Sequence, residues 1–414
     1  MNIGKRAHTI PATALGYAIA FMLLVGLITS GVLFISSANK RLEMNFAIQE
    51  HLLLNNYMSL RYGANNPLPG EQLIVHSSGD SSTIYRKQWG AFRVVVAETF
   101  HHSRRVIKAA LIGDAFDAAH PALYMPDQRQ VLKLCGDTKI EGTVYLSERG
   151  VERGYIAGSN YKNDQLIYGE KRTSERSLPP LRTELSNQRL SNYIEGTNKM
   201  DFFTNDSTFS FSQPTQLVSQ IEPLFIAQSI SGNIVLHSFD SIIVRSGAQL
   251  QNVILISPKV RFEEGFKGSV QVIASEEIVC EKGVQLNYPS VLILNEQAAN
   301  PSGKLNGIVL KEGSRVLGGV LLYSQKPNFR KQIFLDIDHA LIGGLVYNTG
   351  DTQLKGEVVG HLYTANFDLQ AGGGRYGNHL LDAKISSKKL PDGFVFPNWL
   401  ADEKIVKSVI VACF

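Results

Sequence analysis

Residues 241–295 read SIIVRSGAQLQNVILISPKVRFEEGFKGSVQVIASEEIVCEKGVQLNYPSVLILN. Gly247, Gly265 and Gly283 divide this stretch at intervals of 18 residues, and short apolar runs recur around them. Ile242-Ile243-Val244 is followed by Val253-Ile254-Leu255-Ile256, and Val260-Arg261-Phe262 by Val270-Gln271-Val272-Ile273. Ile278-Val279-Cys280 is followed in the same way by Val291-Leu292-Ile293-Leu294. Short β runs at a fixed period, punctuated by glycine, are what stacked coils of chain require, because each turn buries its apolar side chains only against the next. The expected fold class is mainly β: a right-handed parallel β-helix (a solenoid of about 18 residues per rung), with an N-terminal transmembrane/amphipathic helix and a small α+β module. Ile254, Val272 and Leu292 are expected to share one inward column, and glycine to sit at corners that need positive φ. An antiparallel sandwich is the competing architecture, but it has no reason to keep a constant spacing.

Outward from this stretch the pattern loosens. Ile308-Val309-Leu310 and Gly313, then Val320-Leu321-Leu322-Tyr323, arrive 30 residues on, one period plus a 12-residue polar insert at 295–306. Looser copies follow at 340–347 and 354–363, and an early relative stands apart at 138–146. These place first β-helix rungs at 131–168 and a main β-helix at 230–385. Between them, 169–229 is charged and polar, with Leu178-Pro179-Pro180-Leu181 and the aromatics Phe202, Phe203, Phe209 and Phe211, and reads as an excursion. The apolar ending 405–414 makes 386–414 a docking segment, against the body or another subunit.

The N-terminus sets the location. After a short basic tail (1–11, with Lys5 and Arg6), Ala12 to Ile35 is almost wholly apolar. As a helix this segment measures roughly 36 Å, enough for a hydrocarbon core of about 30 Å. Pro11 suits a first helical turn. The basic tail predicts an inner-membrane, single-pass protein with its large C-terminal part periplasmic. A cleavable signal peptide ending near Ser36-Ser37-Ala38 is the competing reading, although its apolar core is normally shorter. Leu42, Phe46, Leu53, Tyr57 and Leu60 keep helical spacing, so 36–62 reads as an amphipathic stalk whose stripe the next segment covers. It ends at Gly63-Ala64-Asn65-Asn66-Pro67. Residues 68–130 alternate (Phe92, Val94, Val96; then Val106 to Ile112), with a hairpin tip at His101-His102-Ser103-Arg104-Arg105, and read as the small α+β module.

Composition narrows the function. Lys+Arg 41 against Asp+Glu 37 is too balanced to indicate a nucleic-acid partner. Cys135, Cys280 and Cys413 are far apart, with no metal spacing and no disulfide framework; the first two read as small buried hydrophobes. Gly372-Gly373-Gly374-Arg375-Tyr376-Gly377 satisfies G-x-G-x-x-G but lacks the βαβ setting of a dinucleotide site, so a turn is expected. His101 and His102 point apart on a strand and suit an exposed basic turn. Asp336 and Asp338, with Arg330 nearby, are the nearest candidates for acid/base glycan chemistry. No neighbouring rung repeats them, so no catalytic, cofactor-binding or metal residue is assigned, and no enzyme or cofactor is expected.

Two resemblances add to this. The Gly-punctuated rungs of about 230–365, above all Leu354-Lys355-Gly356-Glu357-Val358-Val359-Gly360-His361-Leu362-Tyr363-Thr364, resemble bactofilins, which implies a polymer-forming β-helical scaffold. The front end (basic leader, membrane helix turning amphipathic, small β domain) resembles type IV pilins and pseudopilins. The Gly-Phe cleavage pair and the early glutamate of that family are absent, so prepilin processing is not expected. Together these imply a non-catalytic, membrane-anchored envelope scaffold of a pilus-like, secretion or surface machine, contacting lipid and protein partners or copies of itself. The alternative is a surface polysaccharide-binding or polysaccharide-cleaving protein.

Overall fold

In the computed structural model one helix, α1 (Ala12–Asn65), leads into a chain that is otherwise mainly β. The structure describes residues 12–66, 72–76, 79–116, 120–156, 158–182, 198–201, 205–296, 306–324, 333–401 and 407–413. The basic tail, Arg330, Phe202 and Phe203 lie outside them.

The N-terminal half of α1 is long and apolar enough to cross a membrane, and none of it is buried against the body. Its C-terminal half packs on an antiparallel sheet of β1 (Gln72–Val75), β2 (Ser81–Trp89), β3 (Phe92–His101) and β4 (Arg104–Ala115), in that order. Alternation decides which side chains go where. Val95 and Ala97 of β3 face α1 with Leu60, Ala64, Ala110 and Ile112, whereas Phe92, Val94 and Val96 face the opposite way into a second core. The described residues 72–115 hold strands and no helix of their own, so the helical part of this module is α1 itself. β4 is completed from the far end of the chain: Val395–Phe396 and Lys407–Cys413 both pair with it antiparallel, on opposite sides of Asp114 and Ala115. Everything between is therefore an insertion into one sheet.

The insertion is a stack of parallel pairings whose strand path closes on itself. Met200, Val218, Leu236, Leu255, Val272, Leu292, Val320 and Val346 succeed one another in register, the first two steps being 18 residues each. A Cβ on Gly360 would meet Gly344 O at 2.0 Å, so residues 360 onward form the next layer. Leu362 then pairs with Leu123, Leu123 with Val144, and Val144 with Lys171. Most inward positions belong to one continuous core, including Leu255, Val272, Leu292, Val320 and Leu362. Each such side chain, fully buried, is worth about 1.5–3 kcal/mol over exposure.

Three expectations change here. Ile254 does not share the column of Val272 and Leu292; it pairs with Gln271, and Leu255 takes the inward place. A register shift lies between Gln251 and Val253, and Asn252 has φ 56°, so the extra residue flips the side chains from there to the second shift, between Ser257 and Lys259. Residues 120–173 are not the first rungs: they stack on 357–386, at the end opposite to residue 198. Much of the polar region 169–229 is part of the stack as well. Lys171–Thr173, Asn198–Met200, Ser207–Phe209, Gln216–Gln220 and Leu224–Ile226 all pair in parallel. Their polar residues sit on the outer face, where one inward side chain such as Val218 suffices to hold a turn.

One outer wall of the stack is apolar and lies under the sheet. Leu217, Val235, Ile254, Ile256, Ile273, Val291, Ile293, Leu321 and Leu345 meet Trp89, Phe92, Val94 and Leu111 there. Tyr145, Tyr124, Tyr363 and Tyr347 continue this wall as stacked rings 5.4, 5.7 and 6.3 Å apart. Residues 177–182 cross the rings as a strap. Tyr124 and Tyr347 donate to Ser177 O and Pro179 O, and Arg182 reaches Leu400 O and the buried Asp114.

Candidate functional site

The side chains singled out from the sequence do not converge on one cleft, and the candidate sites are surfaces. The first is α1 beyond its apolar half. Leu52, Asn56, Ser59 and Leu60 face the sheet and are buried. Two of these are polar, and their hydrogen bonds explain why burial is tolerated. Asn56 Nδ2 donates to Ala97 O at 2.8 Å and Val106 O at 3.1 Å, and Ser59 Oγ lies 3.2 Å from His76 Nε2. The stripe expected to be covered is not: Leu42, Phe46, Leu53 and Tyr57 remain 40–68% exposed, and only Leu60 of that set is buried.

His101 closes the helix–sheet joint instead of forming a free basic tip. Its Nδ1 is 2.6 Å from Oδ1 of the buried Asp80, whose Oδ2 accepts from Asn55 of α1 at 2.6 Å. His102 occupies the turn with φ 51°, its ring set edge-on to that of His101. No group of three or more His, Cys, Asp or Glu that could hold a metal ion occurs among the described residues.

Asp336 and Asp338 both lie on the outer face of one strand. Asp336 accepts from Gln353 Nε2 at 2.8 Å, and burial pushes its carboxyl up. Asp338 is exposed and sits 2.8 Å from His339 Nδ1. Their side chains thus serve neighbours on the wall rather than a shared cleft. Gly372 and Gly373, with φ 56° and 80°, form the tip of a hairpin in which Ala371 pairs with Gly374, and no helix follows for a phosphate to cap. Cys135 and Cys280 are buried free thiols, and burial pushes both up, which removes thiolate reactivity.

One surface was not singled out from the sequence. On a second wall an open trough of about 690 Å³ is lined by Thr208, Ser231, Gln251, Ser269 and Asn287, with Asp206 and Lys267 at its sides. Its columns are set by register: Thr208 pairs with Ser231, Ser231 with Gln251, Gln251 with Ser269. The only signal in the sequence is a polar residue recurring once per turn, which also describes any solvated wall.

The class these features define is a helix-anchored antiparallel sheet carrying an inserted parallel β stack. No family model matches the chain, and no curated protein matches it. Among solved structures it is similar to the crystal structure of the competence-associated pilin ComZ from Thermus thermophilus, at 8% identity and a TM-score of 0.25, over 84% of this chain and 86% of that one. Likeness of that degree defines neither a shared fold nor a shared role.

Proposed function

We propose that this chain is a non-catalytic envelope assembly protein: a single-pass, inner-membrane anchor that presents a right-handed parallel β-helix on the periplasmic side and associates with copies of itself through α1. The uncovered stripe Leu42, Phe46, Leu53 and Tyr57 carries this reading. It continues the membrane helix along the flank of the covered side, left open where the sheet ends. Copies anchored in one membrane hold their helices roughly parallel, so the same stripe on a second copy is the natural occupant. The arrangement of membrane helix and sheet supports the pilin-like part of the resemblance. The bactofilin-like part, end-to-end polymerisation of the stack, is not included.

The test is disulfide cross-linking of full-length Phe46→Cys and His51→Cys proteins in native membranes. Dimers are expected for Phe46→Cys and not for His51→Cys, which lies off the stripe. Equal or absent cross-linking overturns self-association through α1. The polar trough favours a second reading, a polysaccharide-binding protein, in which the hydroxyls and amides of Thr208, Ser231, Gln251 and Ser269 meet a glycan.

A further inference from the structure

β2 sends an amine into the boundary between sheet and stack. Lys87 Nζ donates to Thr215 Oγ1 at 3.0 Å and to Asn233 Oδ1 at 3.1 Å, and lies 5.6 Å from the Trp89 ring centroid. Thr215 Oγ1 itself donates to Asn233 Oδ1 at 2.9 Å. Asn233 is fully buried, and its Nδ2 donates to Gln213 O at 2.7 Å and Ser210 O at 3.4 Å, which fixes the plane of the carboxamide. A lysine, a hydroxyl and a carboxamide are thus locked in mutual contact across two layers.

We propose that Lys87 and Asn233 join in an intramolecular side-chain amide that ties the sheet covalently to the inserted stack. Three observations support the step. Contact between amine and carboxamide is already made, so the entropic cost of bringing them together is met by folding. Burial lowers the Lys87 amine to about 8, with no carboxylate opposing the shift, which leaves about a tenth of it neutral and nucleophilic at pH 7. The hydrogen bonds run from Nζ–H to Oγ1 and from Oγ1–H to Oδ1, the direction in which the proton must travel.

The neutral amine adds to Cγ of Asn233, forming the Nζ–Cγ bond. One amine proton passes to Thr215 Oγ1 while the Thr215 proton moves to Oδ1. The tetrahedral carbon then collapses: C=O re-forms, the Cγ–Nδ2 bond breaks, and the Oδ1 proton leaves with Nδ2 as ammonia. An amine and a primary amide give a secondary amide and ammonia, so atoms and charge balance without a co-reactant. The product also removes a desolvated cation from the boundary.

Intact mass of the purified full-length protein, with tandem mass spectrometry of its proteolytic fragments, tests this. The expected result is a mass lower than the sequence mass by one ammonia, with a branched peptide joining Lys87 to Asn233. Both signals are expected to vanish in Lys87→Arg and Asn233→Ala, and the branched peptide to be greatly reduced in Thr215→Val. A folded wild-type protein of full sequence mass overturns the proposal. Loss of ammonia without the branched peptide also overturns it, since that marks a cyclic imide at an asparagine.

Discussion

Replacing Gly344 by alanine tests the stacking geometry directly. Gly344 has φ 133°, and a Cβ there would lie 2.1 Å from Gly318 O. The same approach is made by Gly318 to Ser290 O at 2.2 Å and by Gly360 to Gly344 O at 2.0 Å, so one corner repeats through successive layers. Real Cβ contacts do not fall below 3.0 Å, and the atom in the way is backbone, so a whole turn must move. An L side chain in that backbone region costs about 1–3 kcal/mol, and overpacking adds about 1–3 kcal/mol. Gly344→Ala is therefore expected to lose about 4 kcal/mol, the middle of that range. Gly247→Ala is the matched control, with no atom within 4 Å and no positive φ, and is expected to change stability by under about 1 kcal/mol. Urea unfolding of the full chain in detergent, followed by circular dichroism, measures both midpoints. A Gly344→Ala protein as stable as Gly247→Ala would show that successive turns do not press on one another there, and the layered register would be wrong.

Two further outcomes follow from burial. Val272→Asp places an unpaired carboxylate in the stack core and is expected to cost several kcal/mol, whereas the exposed Lys267→Ala is nearly silent; equal tolerance in the same assay would sink the inward assignment. His361 is buried beside Phe396 and donates from Nδ1 to Pro121 O, and burial lowers it to about 4 from 6.5. Its neutral form is the folded one, so its contribution is full above pH 6.5 and is lost as pH falls from 6.5 towards 4, about 3 kcal/mol in all. Comparing unfolding midpoints at pH 7.5 and pH 4.5 should show a smaller acid loss in His361→Asn; an unchanged acid loss would remove His361 as its source.

The pitch of the stack was legible in the sequence because glycine corners and apolar runs are local signals. The order of its layers was not. A run such as Val144-Tyr145-Leu146 states that it wants parallel neighbours, not that they are residues 123–124 and 171–173. The Ile254/Leu255 inversion shows the same limit on a smaller scale: four consecutive apolar residues hide which face is inward, because both faces are buried. On α1 the signal misled. The apolar stripe is expected against the sheet, but Asn56 and Ser59 lie on the covered side, since partners in β3 and β4 for Asn56 and at His76 for Ser59 outweigh their polarity. No motif assigned a site in the sequence, and the trough is visible only once register aligns residues a turn apart.

The interleaving of the layers has a consequence for how the protein is made. β4 is synthesised early, yet its partner Lys407–Cys413 emerges only after the whole inserted stack. Residues 120–173 likewise wait for 357–386 before their layers can form. Such long-range closure makes folding slow and leaves apolar strand edges open meanwhile. A sheet that closes only when so distant a partner arrives stays open through the synthesis of everything inserted between them. Its own topology delays the folded state until that late partner has emerged.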